Sequence, residues 1–143
     1  MASAAKLYTP ELLALTTVLA DFPLAAVEGG EAEARSPTCG SRIRCRIALD
    51  AEGSVARLGL SVQACAVGQA AAAVFAGDAR GRSAADLERA LAALESWLDG
   101  GVMPGWRGIE ALAAARDFPG RHGAILLPWK AALAALPQAA PAR

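Results

Sequence analysis

The stretch Arg42-Ile43-Arg44-Cys45-Arg46-Ile47-Ala48-Leu49, its continuation Asp50-Ala51-Glu52-Gly53, and then Arg57-Leu58-Gly59-Leu60-Ser61-Val62-Gln63 decide the fold. Ile43, Cys45, Ile47 and Leu49 alternate with Arg42, Arg44, Arg46 and Ala48. A period of two puts the apolar set on one face of a strand and the arginines on the other. Asp50 to Gly53 reads as a turn, after which Leu58, Leu60 and Val62 alternate with Arg57, Gly59, Ser61 and Gln63. The two runs predict an antiparallel hairpin with one buried face. Cys45, in phase with Ile43 and Ile47, is expected in the core and not as a ligand. Arg42, Arg44, Arg46 and Arg57 line the other face, where a strand open to water needs polar residues. The same row could dock a partner.

Working outward from the hairpin, Thr9 can cap a helix with Pro10 at its first position, running through Leu12, Leu15 and Leu19 to Asp21. Pro23 bars its continuation. Gly29-Gly30 marks a turn, and residues 31–36 suit a short edge strand. After Cys65 the period becomes helical. Residues 67–75 predict an Ala-rich helix ending near Gly77. Ser83 caps a second, with Asp86 at its third position, through Leu87, Leu91, Leu94 and Leu98 to Gly100-Gly101. Residues 109–116 predict a third short helix and residues 124–136 a last one, with Pro128 near its start. The tail, 137–143, is expected to fray. Strands first and helices after predict an α+β domain: a small antiparallel sheet of about three strands with helices packed on one face.

Composition narrows the function. The 143 residues carry 14 basic and 14 acidic side chains, so no net basic field exists to attract nucleic acid or an anionic membrane. Of the residues, 55% are apolar, many of them alanine, which favours closely packed helices. One domain over 1–143, with its core at about 7–136, is the expectation for this length. Three cysteines, an odd number, favour reduced thiols in the cytoplasm. Residues 1–6 lack the features of a signal peptide, and charges at Asp78, Arg80, Arg82, Arg116 and Asp117 interrupt the Ala-rich stretches short of a membrane span. A single histidine and no nucleophile elbow give no reason to expect an enzyme. Gly77-Asp78-Ala79-Arg80-Gly81 lacks the Gly-Lys-Ser/Thr of a phosphate loop. Trp97, Trp106 and Trp129 are expected as packing anchors.

Three segments carry a resemblance. Ser36-Pro37-Thr38-Cys39-Gly40-Ser41 stands directly before a strand. Ala64-Cys65-Ala66-Val67-Gly68-Gln69-Ala70 stands at the junction of hairpin and helix. Arg121-His122-Gly123-Ala124-Ile125-Leu126-Leu127-Pro128-Trp129-Lys130-Ala131 opens the last helix. In order and placement the set resembles the NifU/IscU/SufU iron–sulfur cluster assembly scaffolds, and the long interval after Cys65 is similar to the SufU type. The family carries Cys-Gly-Asp in the first segment, its second cysteine in the second, and an arginine followed by a third cysteine in the last. This chain keeps Cys39 and Cys65 but has Ser41 in place of the aspartate and Ala124 in place of the third cysteine.

The resemblance implies a SufU/IscU-like fold in which Cys39, Cys65, Ser41 and Ala124 converge at one end of the sheet. It implies a non-enzymatic scaffold or sulfur-accepting protein, partly degenerate, acting with a cysteine desulfurase and other iron–sulfur assembly proteins. The cofactor it implies is a transient iron–sulfur cluster or zinc. Thiolates are soft donors for both metals and four ligands complete a tetrahedron. Serine, protonated at neutral pH, is a poor ligand, and alanine is none. His122, two residues from Ala124, could supply a substitute nitrogen, although on a helix that offset turns a side chain by roughly 200°. Two chains could each give Cys39 and Cys65 to a shared site in a homodimer. The alternative is a metal-free interaction protein that keeps the scaffold fold.

Overall fold

A computed structural model describes residues 7–37 and 39–139. Three strands, β1 (Gly30–Arg35), β2 (Arg42–Leu49) and β3 (Val55–Gln63), form an antiparallel sheet with β2 in the centre. The register sets Ile43 opposite Val62, Cys45 opposite Leu60 and Ile47 opposite Leu58, so the predicted apolar face is continuous across the hairpin. Ile43, Cys45 and Ile47 are fully buried. Asp50 closes the turn by accepting the backbone N–H groups of Glu52 and Ser54 at 3.0 and 2.9 Å.

Helix α1 (Pro10–Val18) starts where Thr9 Oγ1 accepts the Leu12 N–H at 3.1 Å, and a 3₁₀ turn over Leu19–Asp21 ends it ahead of Pro23. Helix α2 (Ala66–Asp78) follows the hairpin and α3 (Ala84–Leu98) opens with a full capping box between Ser83 and Asp86. The last helix, α4 (His122–Ala135), lies on β1 and β2 and also touches α2 and α3; α1 packs on α2. The predicted α+β architecture is thus present, with the helical layer on one face. Alanine explains the closeness of that layer: Ala70, Ala71 and Ala72 of α2 and Ala131, Ala132 and Ala135 of α4 are fully buried. Side chains this short let helix axes approach closely, while the aromatic residues supply most of the apolar area. Phe75, Trp106 and Trp129 form a cluster with ring centroids 5.3–5.8 Å apart. Trp106 is fixed further by its Nε1–H on the Val74 carbonyl at 3.0 Å and by the Arg82 guanidinium 4.6 Å above its ring.

Three details differ from expectation. The helix predicted at 109–116 is a 3₁₀ helix, Ile109–Asp117. Its buried residues are Ile109, Leu112 and Ala115, a spacing of three that matches three residues per turn. The last helix starts at His122, which puts Pro128 in its middle; Pro128 offers no N–H to the Ala124 carbonyl one turn earlier. The arginine face of the sheet is only partly open to water. Residues 22–27 wrap around the free edge of β3, where Phe22 and Pro23 join Leu60, and then cross that face. Arg46 donates to the Leu24 and Val27 carbonyls at 3.2 and 3.0 Å, and Arg57 to Ala26 at 2.7 Å. Gly59 permits the crossing, because a Cβ there would stand 2.6 Å from the Pro23 oxygen. Of the expected tail, Leu136–Gln138 forms a 3₁₀ turn against β1, and residues 140–143 lie outside the described residues, as do residues 1–6 and 38.

Candidate functional site

The β1–β2 connection is a tight loop. The Ser36 N–H donates to the Ser41 carbonyl at 2.8 Å and the Gly40 N–H to the Ser36 carbonyl at 2.9 Å. Gly40 has φ of 71°, in the left-handed region, with nothing near it, so backbone conformation and not space calls for glycine there. The loop holds Cys39 half-buried with its Sγ 3.1 Å from the Ser41 hydroxyl oxygen, where the hydroxyl can donate to a thiolate. Ser36 and Ser41 are each only 3% exposed.

Cys65 is the N-cap of α2, half-buried and making no capping bond of its own. Three residues on, Gly68 is fully enclosed. A Cβ built on it would lie 3.4 Å from the Ala124 Cβ and 3.9 Å from the Ser41 Oγ, and only 2.6 Å from the Ala64 Cβ. Gly68 is therefore the point where the Cys39 loop, the first turn of α2 and the first turn of α4 meet. Ala124 is fully buried at that junction. Arg121, just ahead of α4, is near enough for its charge to act on Cys39. Burial is the largest influence on the Cys39 thiol and pushes its pKa up. Side-chain hydrogen bonds with Ser36 and Ser41, a Ser41 backbone bond and the Arg121 charge together outweigh it, so the net pKa falls below the ordinary thiol value. Such surroundings favour a thiolate, the form that attacks sulfur.

The structure thus brings Ser41 and Ala124 together at Gly68, with Cys39 in contact with Ser41 and Cys65 at the head of the same helix. His122 is elsewhere. Its Nε2 is 2.7 Å from the Arg116 carbonyl oxygen, and its ring lines a groove with Glu95, Leu98, Asp99 and Leu126. Cys45 is buried on the sheet between Ile43 and Ile47, and desolvation pushes its thiol up to about 12. A resident zinc ion does not fit what surrounds Cys39: a hydroxyl and a methyl group occupy Ser41 and Ala124. Among the described residues no group of three or more His, Cys, Asp and Glu side chains is gathered to hold a metal. Ser36, Gly68 and Arg121 also belong to this junction, although the motifs contain them without marking them as site residues. The one sequence signal was position, since Ser36 opens the cysteine loop and Arg121 precedes Ala124 by one helical turn.

No protein-family model and no curated protein sequence matches the chain. Solved structures do. The N-terminal part of a nitrogen-fixing NifU-like protein from Brucella abortus superposes with a TM-score of 0.82 at 25% identity, covering 94% of this chain and 95% of that one. A protein from the thermophile Fervidobacterium islandicum AW-1, assigned as an iron–sulfur cluster assembly scaffold for the SUF system, gives 0.80 at 18% identity, covering 94% and 99%. The NifU/SufU resemblance read from the three segments is borne out by these structures, which share the sheet and its helical layer.

Proposed function

We propose that this protein is a sulfur-accepting scaffold of iron–sulfur cluster assembly, with Cys39 as the acceptor and a cysteine desulfurase as the donor. The observation that carries the reading is the Cys39 thiol held against Ser41, which itself meets Ala124 at Gly68, in a fold shared with a NifU-like protein and a SUF-system scaffold. The lowered Cys39 pKa agrees with it. In the transfer step the Cys39 thiolate attacks the outer sulfur of the donor's persulfide. The donor's S–S bond breaks, its cysteine leaves as a thiolate, and Cys39 becomes the persulfide, so no external oxidant or reductant is consumed. Iron and a nascent cluster are cargo in this reading, passing over Cys39 and Cys65 with any remaining ligands supplied by a second copy or another chain. The protein is then a carrier and not an enzyme, and its three free cysteines suit a reducing cytoplasm.

The test is twofold. Incubation with a cysteine desulfurase and cysteine should add one sulfur to Cys39, detected by mass spectrometry, and Cys39→Ser should abolish it. Anaerobic reconstitution with iron and sulfide should give cluster absorbance that Cys39→Ser/Cys65→Ser removes. A chain that folds normally but shows neither result is a metal-free interaction protein that keeps the scaffold fold.

A further inference from the structure

The outer face of the sheet carries an uneven charge on an electrically neutral chain. Arg35, Arg42, Arg44 and Arg46 stand in register with only Glu31 and Glu33 among them. Glu31 serves two arginines at once, with Arg44 and Arg46 each 2.6 Å from one of its oxygens, and Arg44 then Arg46 hold its carboxyl below the usual range. Glu33 pairs at 3.0 Å with Arg35, an exposed contact that holds little. Arg42 has no ion-pair partner among the described residues; its Nε donates to the neutral Gln63 amide oxygen at 2.6 Å. Arg42 also walls two adjoining hollows. One, of about 210 Å³, lies over Arg44, Glu33 and Ser61. The other, of about 600 Å³, lies between Arg35, Gln63 and the Ser36–Pro37–Gly40 side of the Cys39 loop. A positive groove therefore runs from the open part of the sheet face to the loop that holds the reactive thiol.

We propose that this groove is a docking surface for an acidic, extended segment of the protein partner that approaches Cys39. The spacing favours such a segment over a small anion. Arg42 and Arg44 are two residues apart on one strand, about 7 Å, the same repeat as carboxylates on every second residue of an extended chain. Residues 22–27 already occupy the Arg46 end, which leaves the Arg42 end, beside the Ser36–Pro37–Gly40 side of the Cys39 loop, for the partner. Opposite charge along the groove speeds encounter and orients the partner on the thiol. The partner's role rests on the sulfur-acceptor reading; the groove and its charge do not.

The test is fluorescence anisotropy of the full chain with a labelled peptide alternating glutamate and serine. The peptide should bind at low salt and weaken as salt rises. Arg42→Glu should weaken it by about tenfold or more, Arg42→Gln by less, and Arg80→Glu, at an exposed position outside the groove, not at all. Circular dichroism checks that each variant is folded. Binding unchanged in Arg42→Glu and Arg42→Gln overturns the proposal. So does complete competition by inorganic phosphate at the peptide's own concentration, or tighter Arg42-dependent binding of single-stranded DNA. The thiols do not take part, so Cys39→Ser/Cys65→Ser should bind the peptide equally. Failed sulfur transfer with intact peptide binding overturns the sulfur reading alone. Intact sulfur transfer without peptide binding overturns the docking surface alone.

Discussion

At the scale of single residues, three cysteines in one small chain have three environments. Cys39 sits where burial and hydrogen bonding oppose each other, with the bonds from Ser36 and Ser41 and the Arg121 charge prevailing. Its alkylation by iodoacetamide, followed by mass spectrometry against pH, should have a midpoint below that of an ordinary thiol, about 8.5. Ser41→Ala and Arg121→Gln should each raise it. A wild-type midpoint above the ordinary value would mean that burial wins. Cys45 is the opposite case. Its folded pKa is raised to about 12, so between the unfolded value and that point the folded state holds the extra proton. Stability should then fall as pH rises above about 8.5, by up to ~1.4 kcal/mol per pH unit. Urea titrations at several alkaline pH values should show this slope in the wild type and lose it in Cys45→Ala, which is less stable at neutral pH but flatter. An equal slope in both would place the alkaline loss at another group. The ligand positions offer a third experiment. Ser41→Asp with Ala124→Cys should create a zinc site with Cys39 and Cys65, of three sulfurs and one oxygen. Its affinity should rise with pH as the thiols deprotonate. Zinc titration against a colorimetric chelator should rank the double variant above either single one. No gain over the parent would show that Ser41 and Ala124 do not lie where their side chains can share a metal with both cysteines.

At the scale of elements, two glycines should respond to alanine with opposite signs. Gly59→Ala drives a Cβ to 2.6 Å from the Pro23 oxygen and 2.8 Å from the Leu24 Cα, both backbone atoms that cannot swing away. It should cost about 1–3 kcal/mol by overpacking and loosen residues 22–27 from the sheet. Gly77, an exposed position in the last turn of α2, has open space where the Cβ would go, so Gly77→Ala should gain about 0.5–1 kcal/mol. Chemical denaturation of the two variants reads both effects, and a neutral Gly59→Ala would mean that the wrapped segment yields freely. The contrast also marks what was legible beforehand. The hairpin and the Ser83 capping box could be read directly, because alternation and capping are written in adjacent residues. The 3₁₀ form of 109–117 was harder. Ile109, Leu112 and Ala115 show the spacing of three, but the alanines between them suit an α-helix equally well. The wrapped segment was not legible at all, since it is held by backbone carbonyls meeting Arg46 and Arg57 from far along the chain. The site divides in the same way. Cys39, Cys65, Ser41 and Ala124 stand out by their positions in motifs, whereas the close packing at Gly68 and the Arg121 charge acting on Cys39 arise only once α2, α4 and the loop have come together.

At the scale of the whole molecule, the question is whether metal is needed to hold these elements together. A structural zinc site in a small domain contributes roughly 10–16 kcal/mol and leaves the apoprotein unfolded. Here the core has other support. Phe75, Trp106 and Trp129 interlock, Trp97 is buried under the Arg116 side chain, and α4 ties the sheet to α2 and α3. A chain of this length buries enough of its surface to fold without a staple. Thermal melts of purified protein with and without a strong chelator should therefore coincide. The comparison is sensitive, because each kcal/mol of lost stability lowers the midpoint by about 2–8 °C for domains up to about 250 residues. Loss of even part of a four-ligand zinc site would lower it by well over ten degrees. Metal analysis of the same sample supplies the second reading: stoichiometric zinc released by the chelator together with a large drop would show that Cys39 and Cys65 have partners in the folded protein beyond Ser41 and Ala124. His122 would be the first to replace. Its ring already bonds the Arg116 carbonyl, so His122→Ala should leave the chelator difference unchanged if the bond is purely structural and abolish it if the ring is a ligand.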